Sequence, residues 1–263
     1  MQATEMKKFL DTLELPDRDT VHAGRRFTFP TLPAPAGGKT DGVPTHDPTK
    51  ASAAIDDGSL VSFVAGVSLQ HQADALNSTL LAQLAANKKY DRENDVEDWY
   101  GFYKTVLENV GWEVQKFDFQ KFNPSGSGFT MDKVVLDLLA SIATQDDIAV
   151  INETIKALKA LSNSDGRVVL FEQATHTTSK GNFQICACSE SAGVLMMKIG
   201  AFSFSSTETV TSVLWFTFSS SSANVYQGGQ VMNLDNDVYS QNRSAIVTKL
   251  GAHAAQFVGD LDI

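Results

Sequence analysis

The chain has 263 residues, 43% of them apolar and 20% charged, enough to bury a full core as one large domain or two small ones. Its net charge of −10 argues against a nucleic-acid partner, because binding a phosphate backbone requires Lys and Arg gathered on one face. No segment reaches the roughly 18 to 20 consecutive apolar residues of a membrane-spanning helix.

The first eleven residues include Lys7 and Lys8 but no apolar core of a secretory signal, so the protein is expected to be made in the cytoplasm and to leave, if it leaves, without such a signal. Six of the seven prolines (Pro16, Pro30, Pro33, Pro35, Pro44 and Pro48) interrupt the first 48 residues, which makes 1–57 an extended arm and 58–263 a single domain. Phe27 and Phe29, within Arg25 to Phe29, supply the arm's apolar contact face, either on the domain or on a neighbouring subunit. Gly37-Gly38-Lys39-Thr40 looks like the end of a phosphate loop, but the position that should hold the first Gly is Pro33 and no strand precedes it.

Leu69, Leu76, Leu80, Leu81 and Leu84 recur at helical spacing and predict a helix over about 67–89. Residues 91–98 read as an acidic, solvated break. A second helix over about 95–109 presents Trp99, Phe102, Tyr103, Val106, Leu107 and Val110, and Gly111 is its natural C-cap. Apolar and polar residues alternate over 112–122, which predicts a strand. Helices follow at about 130–143 and 145–162, with Thr144 as N-cap of the second.

The remaining pattern predicts strands at 167–175, 181–190, 194–204, 210–219 and 223–234, and a closing helix over 236–257. Short Gly- and Ser-containing connections favour antiparallel neighbours. Because 194–204 and 210–219 are apolar at nearly every residue, both faces of the sheet must be covered. The expected fold class is α+β: a three-layer α/β/α sandwich around a mainly antiparallel sheet, with the N-terminal arm outside it.

Chemistry-bearing motifs are sparse. The five histidines show no close ligand pair, and two cysteines without a second cluster do not make a structural zinc site, so neither a metal nor another resident cofactor is expected. There is no Gly-x-Ser-x-Gly elbow, and Asp146, Asp147, Asp235 and Asp237 sit at helix starts, where the helix dipole accounts for them. The reading is non-enzymatic. Cys186 and Cys188, two apart on one strand, face the same way at a separation poorly suited to a disulfide, and both are expected to be reduced. Either they are inert packing, the usual role of a buried thiol, or they carry a modification beside a cavity lined by the adaptable side chains of Met196 and Met197.

The succession Asn182 to Cys188, Gly193 to Phe202, Val213 to Phe218 and Ser222 to Tyr226, followed by a helix, resembles the strand order of Cyt-type δ-endotoxins over about 165–260. The same region, with a cysteine in a central apolar strand, is similar to the Evf virulence-factor family. The first resemblance implies a cytolysin whose helices peel away so that apolar strands enter a membrane, with Leu214, Trp215 and Phe216 in the inserting run. The second implies a fatty acyl thioester on a buried cysteine, Cys186 or Cys188. The expected function is therefore a toxin-like or virulence-factor-like protein that interacts with lipid or membrane. The alternative is a self-assembling or storage-type protein, a homo-oligomer whose arm joins subunits.

Overall fold

The computed structural model describes residues 3–16 and 30–263; Phe27 and Phe29 lie outside them. The part of the expected arm that is described is not extended throughout. Helix α1 (Ala3–Thr12) comes first, then strands β1 (Gly38–Thr40) and β2 (Val43–Thr45), and β3 (Ser52–Asp56), which is buried along its whole length. β3 turns back at Asp57, in left-handed backbone at φ 50°, into β4 (Ser59–Phe63). Residue 57 is thus the bend of a hairpin inside the main sheet. Prolines mislead here because they fall between these short elements or, at Pro44, in a three-residue strand outside that sheet.

Helices α2 (Leu69–Lys89) and α3 (Val96–Val110) follow, close to their expected bounds. Ser68 caps α2 and Gly111, at φ 112°, ends α3. Of the predicted leucine stripe, Leu76, Leu80, Leu81 and Leu84 are buried while Leu69 is exposed. The strand expected over 112–122 survives only as β5 (Trp112–Glu113) and β6 (Gln120–Lys121). Between them the chain lies against the sheet without strand pairing, and the Gln230 side chain accepts the Gln115 N–H at 2.8 Å. β7 (Gly128–Phe129), α4 (Met131–Leu139) and α5 (Gln145–Ala160) come next, and Thr144 and Asp147 form a reciprocal capping box on α5.

Two expected strands are absent. Residues 166–175 form helix α6 (Gly166–Thr175), started by Asp165, which accepts the Arg167 N–H at 2.9 Å. Its buried Val168, Phe171, Ala174 and Thr175 follow helical spacing. Residues 210–217 are a looped segment in which the Phe216 N–H bonds to the Ser212 carbonyl at 3.2 Å; only β10 (Phe218–Ser219) is a strand, paired with β7. β8 (Lys180–Ser191), β9 (Val194–Ser206) and β11 (Ala223–Leu234) match the prediction closely. The single closing helix is instead α7 (Asn236–Ser240), α8 (Arg243–Leu250) and α9 (His253–Phe257), broken at Gln241–Asn242 and at Gly251, and followed by a strand, β12 (Val258–Leu261), that the sequence reading did not contain.

Among the described residues the main sheet has eight strands. Seven run in the order β12-β3-β4-β8-β9-β11-β5, with β6 also on β11; β4 and β8 are parallel and the other pairs antiparallel. Alternate residues of a strand point to opposite faces, which separates the layers. On one face Asp56 meets Thr79 of α2, and the Gln184 amide donates to the Tyr100 hydroxyl of α3 at 2.6 Å. On the other, Ser62 meets Thr154 of α5 at 2.8 Å and Lys198 pairs with Asp147 of α5 at 3.0 Å. The α/β/α sandwich is therefore as expected, with α8 packed on α2 from outside.

Candidate functional site

Helix α2 is the unusual element. Seventeen of its residues are buried, and eight of these are polar: His71, Gln72, Asp74, Asn77, Ser78, Thr79, Gln83 and Asn87. A helix apolar all round would suit such a position better. Partners are supplied for several of these groups: Arg243 grips the Asp74 carboxylate through two bonds at 2.7 and 2.8 Å, and Gln83 spans the β3–β4 bend through the Gly58 N–H and the Asp56 carbonyl. One of them, Asn77, and three groups on the neighbouring β3 and α3 are left over. Asn77 Oδ1, Asp56 Oδ1, Ser52 Oγ and the Tyr103 hydroxyl are buried without a hydrogen-bond partner. Each such orphan costs about 1–3 kcal/mol.

Next to these orphans is a fully satisfied ionic knot. Arg92 and Asp57 form an ion pair at 3.2 Å with both side chains wholly buried. The same guanidinium donates to the Asn182 carbonyl and to Gln184 Oε1, each at 3.1 Å, and stands 4.7 Å over the Trp99 ring. Gly58 leaves the space: a Cβ there would lie 2.2 Å from the guanidinium. The supposed solvated break at 91–98 thus contains the most deeply buried cation described. Nothing in its sequence spacing announces Asp57 as the partner, because the pair closes across a hairpin bend and a helix end.

Cys186 and Cys188 lie on β8 beneath α2 and α3, both free and both fully buried. Burial pushes both thiols up, and at Cys186 the neighbouring Cys188 and Asp56 add to the effect. Such thiols are poor nucleophiles. Met197 is paired with Cys188 and shares its face. Met196 is paired with Ser189 and faces the opposite helix layer, so the two methionines do not line one cavity: neighbours on a strand cannot. Neither cysteine lines any of the three pockets described.

Leu214, Trp215 and Phe216 stand in the looped segment that crosses α6. Leu214 is buried, whereas Trp215 and Phe216 are half-buried and form one wall of a cleft of about 630 Å³. Glu172 holds this loop down, accepting from Ser212 Oγ at 2.9 Å and the Val213 N–H at 3.0 Å while bonded to His176 at 2.7 Å. Glu172 and His176, four residues apart, thus form an ion pair that also anchors the loop.

The fold defines the chain as an α+β sandwich with an antiparallel-dominated sheet and two helix layers. Comparison with protein-family models and with curated proteins finds no match. Similar solved structures include the following two. A Cyt-type δ-endotoxin matches over 66% of this chain and 79% of its own, at 10% identity and a TM-score of 0.39; the Evf virulence factor matches over 78% and 85%, at 13% identity and a TM-score of 0.34. These are the two families that the sequence pattern resembles. At such values the likeness is one of fold and carries no argument about activity.

Proposed function

We propose that the protein is a non-enzymatic, membrane-acting protein of the toxin or virulence-factor kind, whose α2–α3 layer lifts off the sheet to present strands to lipid. The observation that carries this reading is the buried polar half of α2. A helix with eight polar buried residues loses less on entering water than an apolar one, and the orphaned Asp56 and Ser52 of the strand beneath it gain partners when the layer opens. What it uncovers fits a bilayer: β8, β9 and β11 are adjacent and antiparallel, with 12, 13 and 12 residues, against the roughly 9 to 11 that a tilted strand needs to cross. Lipid accepts sheets only when their edges are closed, so several copies must join for strands to insert. No helix among the described residues is long and apolar enough to cross a membrane, which leaves strands as the spanning element in this reading.

Dye release from vesicles, zwitterionic and anionic, over a range of pH, tests the proposal together with two engineered disulfides. Asp56→Cys with Thr79→Cys ties α2 to β3, and Ser62→Cys with Thr154→Cys ties α5 to β4, at side chains already in contact. The wild type is expected to release dye, the first lock to abolish release until reduced, and the second to leave it intact. Absence of release from the wild type in every condition would sink the reading and favour the assembly alternative. Particle mass before and after removal of residues 1–29 measures that alternative without touching β3.

A further inference from the structure

We propose that the cleft between α6 and the 211–217 loop is a binding site for a neutral saccharide unit. The chemistry of its lining selects the ligand. Its lining includes the aromatic Trp215 and Phe216 and the aliphatic Val168 and Val169. Around them stand Asn163, Gln173, Thr211 and Thr217, all exposed and none making a side-chain hydrogen bond. The lining itself contains no Lys, Arg or His; the Lys159 ammonium stands over the Trp215 ring, 5.9 Å from its centroid, outside that lining. Its one carboxylate, Glu172, accepts from Ser212 and from the Val213 N–H and bonds His176, so its oxygens are engaged in holding the loop.

A purely apolar ligand would leave that ring of amides and hydroxyls unpaired. A sugar ring matches both halves of the lining: its C–H face lies flat on an indole, and vicinal hydroxyls match groups that donate and accept at once, which is what Asn and Gln amides do. The volume, about 630 Å³, falls in the range of small-molecule sites and holds one or two such rings. The site is independent of the α2–α3 layer, since α6 lies on the opposite helix face with α5.

The three tryptophans make the test direct. Trp99 and Trp112 are buried, while Trp215 is half-buried, so iodide quenching of intrinsic fluorescence reports on Trp215. Neutral methyl glycosides (glucoside, galactoside, mannoside and N-acetylglucosaminide) at about tenfold over a millimolar Kd should protect it, with saturation transfer to sugar C–H protons in NMR. Gln173→Ala, an exposed position without side-chain bonds, should weaken binding about tenfold, and Trp215→Phe should reduce saturation transfer while the fold stays intact. Choline serves as the cationic control and decanoate, a carboxylate with an apolar chain, as the anionic and apolar one. Vesicles bearing a neutral glycolipid, compared with plain vesicles, distinguish a lipid-borne sugar from a free one. Protection by choline or decanoate and not by a glycoside, no response to any glycoside, or unchanged glycoside binding in Gln173→Ala would each overturn the proposal. Gln173→Ala should release dye from plain vesicles as the wild type does, so failure of the sugar site leaves the membrane reading separately testable.

Discussion

The Thr79 hydroxyl donates to one oxygen of the Asp56 carboxyl, and the other oxygen of that group is buried with no partner. Burial pushes Asp56 well above the usual carboxylate range; the Thr79 bond lowers it, Asp57 raises it, and Arg92 lowers it, without undoing the rise. A raised acid favours the folded state fully only below the unfolded value of about 3.9, and that contribution drains as pH climbs toward the folded value. The loss is about 1.4 kcal/mol per pH unit. Asp56→Asn has no proton to lose, so its stability relative to wild type should rise with pH above about 3.9, by up to that slope, in urea unfolding. A difference constant with pH would mean that Asp56 is charged in the fold.

Arg92 is held by three separate acceptors, and its removal leaves Asp57 without that counter-ion in the core. Arg92→Met should cost about 3–5 kcal/mol of unfolding free energy. Lysine is not a substitute, because an ammonium cannot match the guanidinium fork that reaches Asn182, Asp57 and Gln184 together. A loss under 1 kcal/mol for either variant, read from urea midpoints, would contradict a structural role for the knot.

These features explain what the sequence made legible. Helices α2 and α3 were readable because Leu76, Leu80, Leu81 and Leu84 keep one stripe and Gly111 stops the chain; β8, β9 and β11 were readable from long apolar runs between small turns. Helix α6 was not, since Val168, Val169, Leu170 and Phe171 form a continuous apolar run that period alone cannot assign. Strand β12 was hidden because four residues, Val258 to Leu261, carry too little pattern. The site was largely illegible: the Arg92–Asp57 pair and the Trp215 cleft bring together residues 35 and more positions apart, and no local spacing encodes such meetings.

The cysteines make a dynamic prediction. Thiols raised by burial react only through opening of the layer above them, so labelling of Cys186 and Cys188 by a maleimide in buffer should be slow and should accelerate when vesicles are added. In the closed fold neither sulfur borders a described pocket, and intact mass should equal the sequence mass. A surplus of one acyl chain, removed by hydroxylamine, in protein from its natural producer would turn these residues from packing into attachment sites. Equal labelling rates with and without vesicles would count against the lifting of the helix layer.

His46 and Asp260 join the chain after β2 to β12, and the same carboxylate accepts the Ala36 N–H at 2.8 Å. The hydrogen bond to Asp260 raises His46 above its ordinary value, against partial desolvation. Burial would raise Asp260, but its bonds to His46 and Ala36 and the nearby charges of His46 and Arg167 bring it below the ordinary carboxylate value. A raised histidine stabilises fully below about 6.5 and loses its effect as pH rises through the folded value; a lowered carboxyl stabilises above about 3.9 and loses its effect as pH falls through its own. The pair is therefore strongest between those limits. A double-mutant cycle with His46→Gln and Asp260→Asn should give a coupling of about 0.5–1 kcal/mol at pH 5.5, after allowance for solvent screening at the partly exposed histidine, and a smaller one at pH 8. Loss of the tie at pH 8 should also lower the amide-exchange protection factor of Ala36, whose N–H depends on the same carboxylate. Coupling that is unchanged from pH 5.5 to 8 would show that the histidine charge has no part in holding β12 to the segment before β3.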